Sequence, residues 1–233
     1  MERRCVLVVE DEKEIADLLE VCLAGEGFEV VKAQNGKEAL DFLEGREPDL
    51  ALLDVMLPDM DGFRICMRIR ERHFFPIIML TARTGDMDKI MGLSIGADDY
   101  ISKPFNPLEV VARVKTQIRR HMSYNRSGAA EKAPAGEHDF NGLMINKARH
   151  ECTLYGNSVS LTPTEFSVLW HLCQNRGDVV SSEDLYTAVW GEKCLDGNNT
   201  VMAHIARLRE KLGEPSRRPK FIKTVWGVGY KVE

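Results

Sequence analysis

The chain has 233 residues, 44% of them hydrophobic and 29% charged, with a formal net charge of −5. That length allows two domains of ordinary size, and no apolar run is long enough to span a bilayer. No signal-peptide pattern opens the sequence, so a cytoplasmic protein without a membrane partner is expected. Six cysteines (Cys5, Cys22, Cys66, Cys152, Cys173, Cys194) stand singly, without zinc-like spacing, and read as reduced packing residues. The charge is uneven: residues 1–122 are acidic, whereas residues 199–233 hold eight basic and three acidic side chains. An acidic front and a basic tail suggest a cation site in one part and a polyanion site in the other.

Residues 4–9 are an apolar run ending in Glu10-Asp11-Glu12, and residues 13–24 place apolar side chains at helical spacing. The pattern repeats, with strands at 28–31, 50–53, 76–80 and 100–102 and helices at 37–43, 63–70, 86–93 and 107–120. Five such units predict a doubly wound parallel α/β sheet, with the flavodoxin-like order 2-1-3-4-5 if strands 1 and 3 are neighbours.

The strand at 50–53 is apolar on both faces, the mark of a strand covered on both sides, and it delivers Asp54 to its carboxyl end. A lone Asp there is usually only the start of a loop, here helped by Pro58. The predicted order, however, brings Glu10 and Asp11 beside it. Three crowded carboxylates repel, and a hard divalent cation with oxygen ligands relieves them, so Mg²⁺ is expected. Thr81 and Lys103 end the fourth and fifth strands on the same rim. Each alone has a plain reading, a helix cap and a solvated charge. Together the five describe a phosphoryl-transfer site. The acidic loop would repel a flavin phosphate, and Asp59-Met-Asp-Gly62 lacks the rest of a calcium-binding loop.

Glu10-Asp11, Asp54 with Pro58 and Asp61-Gly62, Thr81-Ala82 and Lys103-Pro104-Phe105 resemble the receiver domain of two-component response regulators. The resemblance implies that Asp54 accepts a phosphoryl group from a sensor histidine kinase. It also implies Mg²⁺ held by Asp11, Asp54 and the backbone carbonyl of Met56, with Glu10 acting through water. Lys103 would meet the phosphoryl group, the Lys103-Pro104 bond would be cis, and Thr81 and Tyr100 would switch together. Met56 and Arg83 stand two residues after the acceptor and the Thr, neither suited to orient water, so a slowly decaying phosphoform is expected.

Residues 123–138 lose periodicity and read as a flexible tether between a receiver at 1–122 and a second domain at 139–233. Short strands follow at 142–145, 151–155 and 159–161. Thr162-Pro-Thr-Glu165 is a capping-box helix start, the helix running to 176. A second helix starts at Ser181 or Ser182 and ends at Trp190-Gly191, and a third spans 200–212 with Val201, Ile205, Leu208 and Leu212 as its core stripe. A hairpin over 220–232 completes a winged helix-turn-helix.

Leu161-Thr-Pro-Thr-Glu-Phe166 and Ile222-Lys-Thr-Val-Trp-Gly-Val-Gly-Tyr230 resemble the winged-helix output domain of the OmpR/PhoB family, and within it the vancomycin-resistance regulators. The resemblance implies a phosphorylation-activated transcription regulator, not an enzyme, acting on promoters of glycopeptide-resistance genes through double-stranded DNA repeats and RNA polymerase. It carries DNA contact to Thr200, His204, Arg207, Arg209, Lys211, Trp226 and Gly227. The helical wheel adds Asn199, Met202 and Ala203, with thymine-methyl contacts as the expected reading mode. A phosphorylation-driven homodimer is implied through Lys89, Asp98, Asp99, Glu109, Arg113 and Arg120, pairing 89 with 109, 99 with 113 and 98 with 120 across the interface. An ion-pair network within one chain is the alternative. Phosphorylation-independent DNA binding and an Asp54 phosphatase are the rival functions; the phosphatase lacks an acid at Met56.

Overall fold

The computed structural model describes residues 3–82, 96–125, 137–140, 142–191, 197–215 and 219–233. They form two compact units, 1–119 and 120–233.

In the first unit β1 (Cys5–Val9), α1 (Lys13–Gly25), β2 (Glu29–Ala33), α2 (Gly36–Gly45), β3 (Leu50–Asp54), α3 (Gly62–Arg70), β4 (Ile77–Thr81), β5 (Asp99–Ser102) and α4 (Pro107–Asn125) follow one another. The strands make one parallel sheet in the order β2-β1-β3-β4-β5, as the alternating pattern predicts. The predicted helix at 86–93 and Arg83 lie outside the described residues.

Every residue of β1, β3 and β4 is buried, which is why these strands read as unbroken apolar runs. Burying each such Leu, Ile or Val contributes about 1.5–3 kcal/mol. Val9 pairs with Leu53 in register, which sets the residues after β1 beside the end of β3.

The second unit holds β6 (Glu137–Phe140), β7 (Leu143–Asn146), β8 (Glu151–Leu154), β9 (Asn157–Ser158), α5 (Pro163–Gln174), β10 (Val180–Ser181), α6 (Ser182–Trp190), α7 (Gly197–Lys211), β11 (Ile222–Val225) and β12 (Gly229–Val232). The first four strands form an antiparallel sheet, and β10-β12-β11 a second. Thr162 caps α5 in the predicted box: its hydroxyl accepts from Glu165 N and the Glu165 carboxylate accepts from Thr162 N at 2.8 Å. Ser181 caps α6, and Gly191 ends it at φ 77. Phe140, Ile145, Phe166, Leu169, Trp190, Val201, Ile205 and Leu208 meet in one core.

Two strands differ from expectation. β6 begins at Glu137, inside the stretch read as tether, because pairing of His138 with Ile145 and Phe140 with Leu143 holds a segment that has no alternation of its own. The strand expected at 159–161 is displaced to Asn157–Ser158, opposite Thr153 and Leu154.

Candidate functional site

Lys103, just past β5, holds the rim of the first sheet together. Its ammonium donates to Asp54 Oδ2 at 2.9 Å and to Glu10 Oε1 at 2.8 Å, with Glu12 at 3.7 Å. Asp54 and Glu10 are almost fully buried, and Asp11 is exposed beside them. Oxygen atoms of Glu10, Asp11 and Asp54 lie within 4.8 Å of one another. Burial pushes the Glu10 carboxyl up to about 7, with the neighbouring Asp54 charge adding and the Lys103 bond opposing. Burial would lower the Lys103 ammonium, but its bonds to Glu10 and Asp54 prevail and raise it. This carboxyl cluster has the hard-oxygen donor set that suits Mg²⁺.

Met56 N donates to Asp54 Oδ1 at 3.2 Å, so its backbone adjoins the Asp54 carboxylate while its side chain is exposed. Thr81 ends β4 beside Ser102, and Tyr100 lies two residues back on β5, both buried. Lys103 N donates to Thr81 O at 2.6 Å, and the Lys103-Pro104 bond is cis.

Two features escaped the sequence reading. A Cβ on Gly62 would stand 2.1 Å from the Asp54 carbonyl oxygen, so only glycine lets α3 start against the strand end that carries Asp54. Asp59 accepts from Gly36 N and Lys37 N at 2.9 Å each and ties the loop after β3 to the start of α2. Its acid-turn-helix spacing carried the signal, but the partner helix did not show in it.

On the surface expected to mediate dimerisation, Arg113 meets Asp99 at 2.9 Å and Glu109 at 3.0 Å within one chain, the alternative left open above. The assignment of Asp98 is corrected: it is 1% exposed, pairs with Arg70 at 2.7 Å and accepts from Ile77 N at 3.0 Å, and so does not face outward toward Arg120. Lys89 and the Arg120 side chain lie outside the described residues.

In the second unit the stripe of Val201, Ile205, Leu208 and Leu212 is buried as expected. Part of the DNA face expected on this helix is corrected. Ala203, His204 and Arg207 are buried too, His204 against Trp190 and Arg207 toward Glu165 at 3.6 Å, so none can reach a base or phosphate in this arrangement. Lys211 meets Glu165 at 2.6 Å, and Arg209 is held by Ile222 O at 2.7 Å and Thr224 Oγ1 at 2.9 Å. Burial alone would lift the Glu165 carboxyl, but the charges of Lys211 and Arg207 hold it below the usual range. Among the described side chains, α7 leaves Met202, Ala206, Glu210 and Lys211 exposed, with Thr200 and Arg209 half-buried; the Asn199 side chain is outside the described residues. Trp226, Gly227 and Val228 are exposed at the tip of the β11-β12 hairpin.

Residues 6–115 match the response regulator receiver domain, and residues 156–232 match the C-terminal domain of transcriptional regulatory proteins. The chain is 59% identical over 228 residues to the regulatory protein VanRc of Enterococcus gallinarum and 52% identical over 231 residues to the regulatory protein VanR of Enterococcus faecium, covering 98% of each chain in both cases. Among solved structures, DrrB, an OmpR/PhoB homolog of Thermotoga maritima, is 33% identical with a TM-score of 0.51, and a RitR mutant is 26% identical with a TM-score of 0.73, each over 99% of both chains. No described helix is long and apolar enough to cross a membrane. A receiver sheet with its acidic rim, followed by a winged helix, thus places the chain among the OmpR/PhoB-type response regulators, transcription regulators and not enzymes, close to the vancomycin-resistance regulators.

Proposed function

We propose that Asp54 is the phosphoacceptor of this regulator, charged by a sensor histidine kinase, and that the phosphoform binds promoter DNA in the cytoplasm. The observation that carries this reading is the Lys103 ammonium at 2.9 Å from Asp54 Oδ2, on a rim shared with Glu10 and Asp11. The Asp54 carboxylate attacks phosphorus, the phosphorus–nitrogen bond of the kinase phosphohistidine breaks, and the imidazole leaves with the electron pair and takes up a proton. Lys103 then turns from the carboxylates to the phosphoryl oxygens, where its fixed charge is worth most. Glu10, Asp11, Asp54 and the Met56 carbonyl would hold Mg²⁺, which neutralises phosphoryl charge when bound. Thr81 follows the new phosphoryl oxygens, and the Tyr100 ring takes the space it leaves.

Output rests on double-stranded DNA met by Thr200, Met202 and the wing at Trp226 and Gly227, as tandem repeats upstream of glycopeptide-resistance genes read by RNA polymerase, a reading supported by the similarity to the regulatory proteins VanRc and VanR. Homodimerisation through the surface of Glu109, Arg113 and Asp99 would bring two wings to adjacent repeats by exchanging ion pairs now made within the chain. Incubation with acetyl phosphate and Mg²⁺, followed by intact mass, tests the first step. One added phosphoryl group on the native chain and none on Asp54→Asn is expected; equal gain on both moves the acceptor elsewhere.

A further inference from the structure

Three tryptophans sit in the second unit, and they differ: Trp170 and Trp190 are buried, whereas Trp226 is 90% exposed. It stands at the tip of the hairpin, on a turn made by Gly227 at φ 74 and closed by Val228 N donating to Val225 O at 3.0 Å. The base of the hairpin is fixed, because Gly229 lies so near β10 that a Cβ there would be 2.0 Å from Val180 O. The indole is therefore held out on a braced support rather than on a slack loop.

Its surroundings are apolar. Val228 is 56% exposed, and across a cleft of about 590 Å³ stand Met202 and Ala206 of α7. Among the described residues that line this cleft the cation is Arg209, held by Ile222 O at 2.7 Å and Thr224 Oγ1 at 2.9 Å. The tip offers contact area and a π-face rather than a phosphate clamp.

In a domain whose partner is duplex DNA, such a group suits the minor groove. Apolar side chains there wedge between base pairs, and aromatic rings stack on bases without reading their hydrogen-bond edges. Opening a step costs least at TA and CA/TG, the most deformable steps. We infer that Trp226 is a wedge that stacks on a partly opened pyrimidine–purine step, so that this chain reads part of its site as deformability. The inference rests on the proposed DNA face of Met202 and Trp226, and goes beyond it in naming what that residue recognises.

The test uses the full chain and duplexes that it selects itself from a randomised library. Acrylamide quenching of the native chain reports Trp226, since the other two indoles are buried. On binding, quenching should fall toward the level of the buried pair. Trp226→Ala should bind the selected duplex about 5- to 150-fold more weakly, and Trp226→Phe much less so. Changing the flexible step to AA should weaken the native chain by a similar factor and leave Trp226→Ala nearly indifferent; unaltered emission from Trp170 and Trp190 verifies its fold. If the indole stays quenchable in the complex, or Trp226→Ala discriminates the two steps as the native chain does, the wedge is wrong and the DNA face stands. Failure to select any duplex would overturn both.

Discussion

Replacing Glu165 by Gln removes one negative charge from a site that is 1% exposed, where the carboxylate meets Lys211 at 2.6 Å and Arg207 at 3.6 Å. The amide oxygen can still accept from Thr162 N, so the cap of α5 is kept and the charge is what changes. Lys211, a third exposed, turns to water at little cost, but Arg207 is left cationic and only 6% exposed. Breaking a buried pair by removing one partner costs about 3–5 kcal/mol, and the long Arg207 contact argues for the lower end. With roughly 1 kcal/mol per molar urea for a unit of this size, the midpoint should fall by about 3 M. All three tryptophans belong to this unit, so their emission follows its unfolding alone. Glu165→Ala should lose about 1 kcal/mol more, from the cap. The native carboxyl is held low, so its contribution is complete above the unfolded value of 4.5 and is lost as pH falls through the lower folded value. The Gln variant should lack that acid limb. Equal urea midpoints for the native and Gln chains at neutral pH would refute the argument.

Three further outcomes follow from the geometry. Gly62→Ala must displace either α3 or the acceptor strand end, and a shift of about 1 Å should slow mass gain from acetyl phosphate about 100-fold while leaving the second unit's urea midpoint unchanged. Arg70→Ala removes the ion-pair partner of the buried Asp98 and also takes a donor from the carbonyls of Gly96 and Phe75; calorimetry should show the receiver transition lowered by about 12–20 °C, from about 3–5 kcal/mol at roughly 4 °C each. Deoxyuridine in place of a thymine under Met202 removes one methyl and should weaken binding about fourfold, or 0.8 kcal/mol, an effect that Met202→Ala should blunt; unchanged affinity on uracil throughout the site would exclude methyl reading.

Much of the receiver was legible because its signals are local and its topology is rule-bound. Apolar runs without alternation can only be strands covered on both faces, and right-handed crossovers then bring the ends of β1 and β3 together, so Glu10, Asp11 and Asp54 met on paper before they met in space. The neighbouring pair Asp98 and Asp99 was read less well. Adjacent residues entering a strand point to opposite sides, so one must turn to Arg70 in the interior while the other reaches Arg113, and the two cannot share an outward surface. For α7 the wheel gave the apolar stripe but not the fate of the polar one beside it. Arg207 and Lys211 face Glu165, an acid at the third position of a capping box, whose second duty toward another helix leaves no trace in local spacing, and His204 packs on Trp190.

That second duty bears on how strongly salt should weaken DNA binding. If all eight basic residues of 199–233 neutralised phosphates, log affinity would fall with log salt at a slope of about −7. Arg207 is buried, Arg209 is bound to the backbone of β11, and Lys211 is paired with Glu165, which withholds three. Lys223 and Lys231 share the exposed Glu233, a surface pairing cheap to trade for phosphate, so they stay in the count. Five phosphate contacts per chain give a slope no steeper than about −4.5. Lys211→Ala should then leave the slope unaltered while lowering the stability of the unit. A measured slope near −7, or one that Lys211→Ala reduces by about one unit, would mean that the recognition helix surrenders its ion pairs to DNA and rotates on binding.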